Sequence, residues 1–401
     1  MNRVLLPLTN EIQPYAWGSR ESLAKIRGAK APTEKPEAEL WMGAHPGAPS
    51  RVEGDERSLL RLTQDEPDAV LGSDVRARFA GRFPFLLKLL AAAEPLSLQA
   101  HPTKQQAEAG FSHEEAAGIP RSAGNRNYKD ENHKPELLCA LTPFVALVGF
   151  RFVPDTVRLF EQLDTDALRT LARALAKEPE ADGLRAFLER AMTSDPVWRR
   201  TIANETLAAC RAARNRAGEF SREIAWGVRI GEKYPGDPGI AVALALNLVE
   251  LAPGQALYLP AGNLHAYLEG TGVEIMASSD NVLRGGLTPK HVDVPELVRV
   301  LDFHSGPAVL VPTETLGAET TYLTPAPEFA LSRFELDGKT VEVGSVRGPE
   351  IVVVTRGAAT ISRGTETLSL PSGASAFVPR EGGKYALSGK AVVFRARVND
   401  R

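Results

Sequence analysis

Leu251-Ala-Pro-Gly254-Gln-Ala-Leu-Tyr258-Leu259-Pro260-Ala-Gly-Asn-Leu-His265 aligns without gaps on Leu370-Pro-Ser-Gly373-Ala-Ser-Ala-Phe377-Val378-Pro379-Arg-Glu-Gly-Gly-Lys384. In both copies a glycine turn feeds a short apolar strand that a proline ends, the hairpin-like unit of a β-barrel. Two copies predict two barrels in one chain. The copies differ at their last position, where His265 in the first becomes Lys384 in the second. Only the first barrel therefore keeps a ligand-type side chain at that mouth.

Strand texture surrounds both copies. From Trp226 to Arg401 short apolar runs at residues 256–259, 273–277, 350–355 and 391–394 are punctuated by Gly and Pro, the rhythm of a sandwich or jelly roll. Met1 to Arg151 has the same broken pattern. Between Val153 and Trp226 only Gly183 and Gly218 occur, and Leu159, Leu163, Leu168, Leu171 and Leu175 lay an apolar stripe along a helix that Asp155 can cap. A second helix is predicted over residues 196–217, with Ile202, Leu207 and Ala208 facing inward. The reading is a mainly β protein with an α insert. Residues 1–152 form the first part of one jelly roll, 153–226 a helical insert, 227–318 the second part of that jelly roll, and 319–401 a degenerate C-terminal one.

The 401 residues are 43% apolar and 24% charged, a composition that excludes disordered, collagenous and membrane-embedded classes. Lys plus Arg at 47 against Asp plus Glu at 50 leaves a net charge of −3, so no global field draws a polyanion such as nucleic acid. The apolar runs fall short of the ~20 residues that cross a bilayer. Two cysteines, Cys139 and Cys210, make no disulfide framework, and the first ten residues lack a secretory pattern. A cytoplasmic protein with no membrane and no obligate protein partner is expected.

Three stretches concentrate metal-ligating groups. In Leu96-Ser97-Leu98-Gln99-Ala100-His101-Pro102 the alternation of a strand places Ser97, Gln99 and His101 on one side. In His133-Lys134-Pro135-Glu136-Leu137, Pro135 keeps Lys134 extended, so Lys134 and Glu136 share a face. His265 follows the Pro260-Ala-Gly262 turn. Gln99, His101, Glu136 and His265 together offer two imidazoles, a carboxylate and an amide oxygen, a set that suits zinc and accepts other divalent ions.

The same stretches resemble the type I mannose-6-phosphate isomerases (phosphomannose isomerases), zinc enzymes of the cupin superfamily. The resemblance runs through Gln13-Pro-Tyr-Ala-Trp17-Gly-Ser19, Glu39-Leu-Trp41-Met-Gly43-Ala-His45-Pro46, Ser97-Leu-Gln99-Ala-His101-Pro102, Asn127-Tyr128-Lys-Asp130-Glu-Asn132-His133-Lys134-Pro135-Glu136-Leu137, Leu259-Pro260-Ala-Gly262-Asn-Leu-His265-Ala-Tyr267 and Ser279-Asp280-Asn281-Val282-Leu283-Arg284-Gly-Gly-Leu-Thr288-Pro289-Lys290. It implies two cupin-type jelly rolls, one of them catalytic, plus a helical domain. It also implies one zinc ion per chain on Gln99, His101, Glu136 and His265, with Arg284 as an active-site arginine. The C-terminal region carries no matching motif.

Charge supports an anionic substrate, because Lys134, Arg284, Lys88 and Lys290 lie in or beside these stretches while only Glu136 opposes a divalent cation. Arg284 suits a phosphate as a planar fork, Lys88 and Lys290 as point charges, and Ser97 as a hydroxyl donor. The expected reaction interconverts mannose 6-phosphate and fructose 6-phosphate through a cis-enediol. Arg284 stabilises its oxyanion, Lys134 and His133 are the favoured proton-transfer candidates with Asp280 as their orienter, and Asp280 or Glu274 is the alternative carboxylate base. Glu274 is a further carboxylate of the substrate pocket, which Tyr267 and Trp17 shape, or the buried partner of a cation. His45, His113, His291 and His304 take solvent or structural places. Two other classes fit these residues: a cupin isomerase or oxygenase of another substrate, and a non-catalytic sugar-phosphate sensor.

Overall fold

The strand Phe85–Ala92 reads Phe-Leu-Leu-Lys-Leu-Leu-Ala-Ala and is buried along its whole length, as a central strand covered on both faces must be. It sits inside a ten-stranded sheet with the order Ala256–Leu259, Glu136–Ala140, His265–Ala277, Phe85–Ala92, Glu39–Gly43, Glu11–Gln13. All pairings along this path are antiparallel. The computed structural model describes residues 4–177, 180–216, 218–344, 346–380 and 383–400. The strand His265–Ala277 bends the sheet into a jelly roll. Its second half pairs with Phe85–Ala92 and Glu136–Ala140, while its first half pairs with Phe144–Phe150 and, at His265, with Gln99.

The repeat recurs in three dimensions. Gly254 and Gly373 both turn the chain at positive φ, 89° and 83°, into the strands Ala256–Leu259 and Ser375–Val378. Of the second copy, Glu381 and Gly382 lie outside the described residues. Ser375–Val378 belongs to a second ten-stranded sheet with Glu350–Arg363, Tyr385–Arg397, Ala330–Asp337 and their neighbours.

That sheet also takes a strand the sequence assigned to the first barrel. Leu6–Thr9 pairs antiparallel with Ser375–Val378, Leu6 opposite Phe377 and Leu8 opposite Ser375. Leu6 and Leu8 are buried there, and the backbone N–H groups of Val4 and Leu5 donate to the Glu366 carboxylate at 3.0–3.2 Å. One core runs between the two sheets, holding Leu6, Phe85, Leu137, Cys139, Ile275, Phe329, Phe377 and Phe394. Cys139, expected in the core, donates its thiol to the Tyr322 hydroxyl (3.0 Å), which donates to the Gly254 carbonyl (2.9 Å).

The leucine stripe is divided between two helices. Asp164, at φ 46°, ends Val153–Leu163, and Thr165 caps Asp166–Leu175 through its hydroxyl. All five leucines are buried. Asp155 lies in the first turn of its helix, after the cap position. The second predicted helix runs Pro196–Ala213, started by the Asp195 carboxylate on the Val197 and Trp198 N–H groups; Ile202 faces in as expected, Ala208 is exposed, and Ala217 lies outside the described residues.

Strands do not return directly after Trp226. The helices Ser221–Lys233 and Gly239–Leu244 follow, and the next strand is Leu246–Leu251. Glycines in this stretch read as strand punctuation, but they serve close helix contact. A Cβ on Gly227 would lie 2.8 Å from the Cys210 Sγ. Among the described residues no helix is long and apolar enough to cross a membrane, and both cysteines are free and buried.

Candidate metal centre

Strand register gathers the expected ligands. Gln99 lies opposite His265 on one side and opposite Arg284 on the other, so these three residues form one row across neighbouring strands. His101 follows directly, and Pro102 stops the strand. Thr103 then caps the helix Lys104–Ala116 in a capping box with Gln106. Glu136 opens its strand opposite Leu259, six residues before His265.

His101, Glu136 and His265 are all buried, and one ligand atom from each lies within 4.8 Å of the others. Glu136 Oε1 is 3.4 Å from His101 Nε2, and its Oε2 is 3.5 Å from His265 Nε2. The outer nitrogens are anchored to backbone: His101 Nδ1 to the Asn281 carbonyl (2.8 Å) and His265 Nδ1 to the Asn263 carbonyl (3.0 Å). Each Nδ1 thus carries the proton and each Nε2 presents a lone pair inward, the tautomer a metal ligand requires. His101 Nε2 is buried without any hydrogen-bond partner. An orphaned buried nitrogen aimed at a carboxylate and a second imidazole fits a divalent cation.

Electrostatics agree. Burial pushes the His101 imidazole down to about 4, so it stays neutral at pH 7. Burial works against the Glu136 carboxylate, but the Lys134 ammonium holds it well below the usual range and ionised. Lys134 Nζ lies 3.0 Å from Glu136 Oε1.

A second buried cluster lies on the same sheet. Lys88 is opposite Glu274 on one strand and Trp41 on another. Its Nζ is 2.9 Å from Glu274 and 3.5 Å from Glu39, and stands 5.4 Å from the Trp41 ring centre. The Tyr267 hydroxyl donates to Glu274 at 2.8 Å. Burial raises the Glu274 carboxyl and the Tyr267 phenol above their usual ranges, while Glu274 and Glu39 keep Lys88 protonated despite its burial.

With this geometry in view, residues 5–153 match the family described as Phosphomannose isomerase type I, catalytic domain, and residues 318–398 match Mannose-6-phosphate isomerase, cupin domain. The mannose-6-phosphate isomerase of Escherichia coli is 41% identical over 377 residues, covering 92% of this chain and 94% of that protein. The chain belongs to the type I phosphomannose isomerases. The human mannose-6-phosphate isomerase is 33% identical over 92% of this chain and 91% of its own length. Crystal structures of the apo Salmonella typhimurium enzyme and of a zinc-bound mannose 6-phosphate isomerase each superpose with a TM-score of 0.90 at 38% identity, covering 99% of this chain and 100% of theirs.

Within this family fold, several expected site residues take other places. Lys88 is neutralised by two carboxylates and offers no free charge to a substrate, and Glu274 is its partner. His133 lies on the opposite face of the extended segment from Lys134 and Glu136, with its Nε2 2.6 Å from Glu328 in the C-terminal unit. Asp280 Oδ1 is 3.3 Å from His45 Nε2, and that imidazole, with Lys129 and Lys134, holds the carboxylate below its usual range. Trp17 stacks on Tyr15 at 5.8 Å and packs against the core that includes Tyr267. Ser97 is half-buried.

Arg284 and Lys290 have no ion pair among the described residues. Burial lowers both from their usual values, and for Lys290 the nearby Arg284 and Lys129 add to this. The positive charge without an ion pair is therefore Arg284 and Lys290, with Lys129 near enough to act on both Lys290 and the Asp280 carboxylate, and sequence reasoning missed the last. It also missed Asn281, whose side chain accepts from the Lys129 and Asp130 N–H groups and donates to the Asp130 and Asn132 carbonyls. Thus Asn281 ties the approach to Glu136 to the loop that anchors His101.

The second barrel retains a carboxylate without the imidazoles. Val378, the counterpart of Leu259, lies opposite Glu350, as Leu259 lies opposite Glu136. Glu350 is held by the Arg395 guanidinium and by the Tyr385 hydroxyl (3.0 Å), and Lys384 is exposed. A guanidinium neutralises the carboxylate there.

Proposed function

We propose that this chain is a zinc-dependent aldose–ketose isomerase that interconverts mannose 6-phosphate and fructose 6-phosphate through a cis-enediol. The observation that carries the reading is the orphaned Nε2 of His101 beside Glu136 and His265, next to cations without counter-ions. His101, Glu136, His265 and the amide of Gln99 would hold the ion. When bound, zinc supplies Lewis acidity for sugar oxygens at that place.

The rest of the reaction falls to side chains. Arg284 and Lys290, with Lys129, bind the phosphate, because unpaired cations that repel one another gain most from a dianion. Arg284 also lies in the row of Gln99 and His265, where it can offset charge developing on the enediol. Among the carboxylates, Glu136 faces the imidazoles, while Glu274 and Glu39 are spent on Lys88. Asp280 is left to accept a proton, and Lys134 to return one. His133 faces away and takes no part in proton transfer. The catalytic unit comprises the first sheet with its helical insert, and the C-terminal unit closes around the strand Leu6–Thr9.

The test is turnover of mannose 6-phosphate in deuterated water, followed by NMR. Deuterium appearing at the carbon that receives the proton supports the enediol route. Complete retention of protium would point to direct hydride shift, and absence of turnover would leave a sugar-phosphate sensor.

A further inference from the structure

The segment Glu39-Leu-Trp-Met-Gly-Ala-His45-Pro46 holds no expected metal ligand, yet its imidazole is buried, 6% exposed, and faces Asp280. His45 Nδ1 accepts the backbone N–H of Gly47 at 3.1 Å. The ring proton therefore sits on Nε2, the atom 3.3 Å from Asp280 Oδ1. The ring cannot swing freely. It stands edge-on to Trp41, with centres 4.8 Å apart at 80°, and the Trp41 indole N–H donates to Glu39 at 2.7 Å. Glu39 in turn faces Lys88. A continuous line of contacts runs from the buried lysine cluster out to Asp280.

Asp280 itself is clamped through its backbone, whose N–H donates to Asp130 Oδ2 at 2.8 Å; the neighbouring Ser279 hydroxyl donates to Asp130 Oδ1 at 2.9 Å. These bonds fix where the residue sits but not where its carboxylate points. The side chain is 45% exposed, and His45 is its ion-pair partner among the described residues. Without that imidazole, solvation would favour rotation toward water.

We propose that His45 is a positioning residue for the reaction, its Nε2–H holding the Asp280 carboxylate in the orientation in which it meets the substrate. This rests on the reading that Asp280 takes part in proton transfer. The experiment compares His45→Phe, which keeps a ring against Trp41 but no donor, with His45→Gln, whose amide can donate toward Asp280. Each is also combined with Asp280→Asn.

His45→Phe should lower kcat about 100-fold, the scale of a catalytic group displaced by about 1 Å. KM and zinc content should stay near wild type. His45→Gln should recover most of the rate, and His45→Phe should add nothing to Asp280→Asn. Wild-type kcat in His45→Phe would overturn the proposal, as would losses that multiply in the double variant, or equal losses in Phe and Gln variants accompanied by loss of zinc. Asp280→Asn alone tests the underlying reading: full activity there refutes a role for Asp280, whatever His45 does. Should His45→Phe fail to accumulate as folded protein, His45→Met against His45→Gln decides by the same criteria.

Discussion

Replacing Lys88 with Met removes one charge from a buried group of three while nearly preserving volume, so little cavity forms. Glu274 and Glu39 are then left facing one another, each under 10% exposed, where the ammonium stood 2.9 and 3.5 Å away. Breaking a buried ion pair by removing one partner costs about 3–5 kcal/mol. That figure applies where both carboxyls are ionised. Glu274 already sits above its ordinary 4.5 with the lysine present, because burial outweighs attraction to Lys88. Removing Lys88 raises it further. A carboxyl raised in the folded state holds its proton more tightly there than in the unfolded chain. Its contribution to stability is complete below the unfolded value of 4.5 and is lost as pH rises through the folded value. The deficit of Lys88→Met should therefore be largest at pH 8 and shrink on acidification, by at most about 1.4 kcal/mol per pH unit for one proton. Urea unfolding of both proteins from pH 8 to pH 5, after chelation so that metal linkage does not enter, measures this directly. A deficit below about 1 kcal/mol at pH 8, or one that does not change with pH, would show that Lys88 is not what holds Glu274 and Glu39 together.

Two further outcomes are expected. Arg284→Ala should lower kcat/KM about 100- to 1,000-fold, the range for loss of one preorganised charge-stabilising donor, with zinc content unchanged by elemental analysis; matching loss of zinc and rate would make the residue structural. In the second barrel, Arg395→Met strands the buried Glu350 carboxylate and should destabilise by about 3–5 kcal/mol in denaturant titration without altering zinc stoichiometry.

Much of this was legible in the sequence because it rests on local chemistry. The glycine turn and proline stop of the repeat dictate the same hairpin twice, and the positive φ at Gly254 and Gly373 bears that out. The proline before Glu136 put Lys134 on the same face as that carboxylate, where the two now lie 3.0 Å apart, without any knowledge of partners. What escaped depends on distant pairing. Nothing near Leu6–Thr9 signals that its partner is Ser375–Val378, since a short apolar strand completes either sheet equally well. Gly227 breaks a strand or lets two helices touch, and only the position of Cys210 decides which. Likewise, Lys88 reads as a free cation until the register sets Glu274 opposite it, and His45 reads as an idle histidine until Asp280 comes alongside.

The ion that His101, Glu136 and His265 would hold sets the activity of the whole site. Zinc titrated into the chelated protein, with isomerisation of mannose 6-phosphate read at each addition, should restore activity in proportion to metal until one equivalent per chain and then level off. Full turnover before any zinc is added, or a break at a stoichiometry other than one, would contradict it.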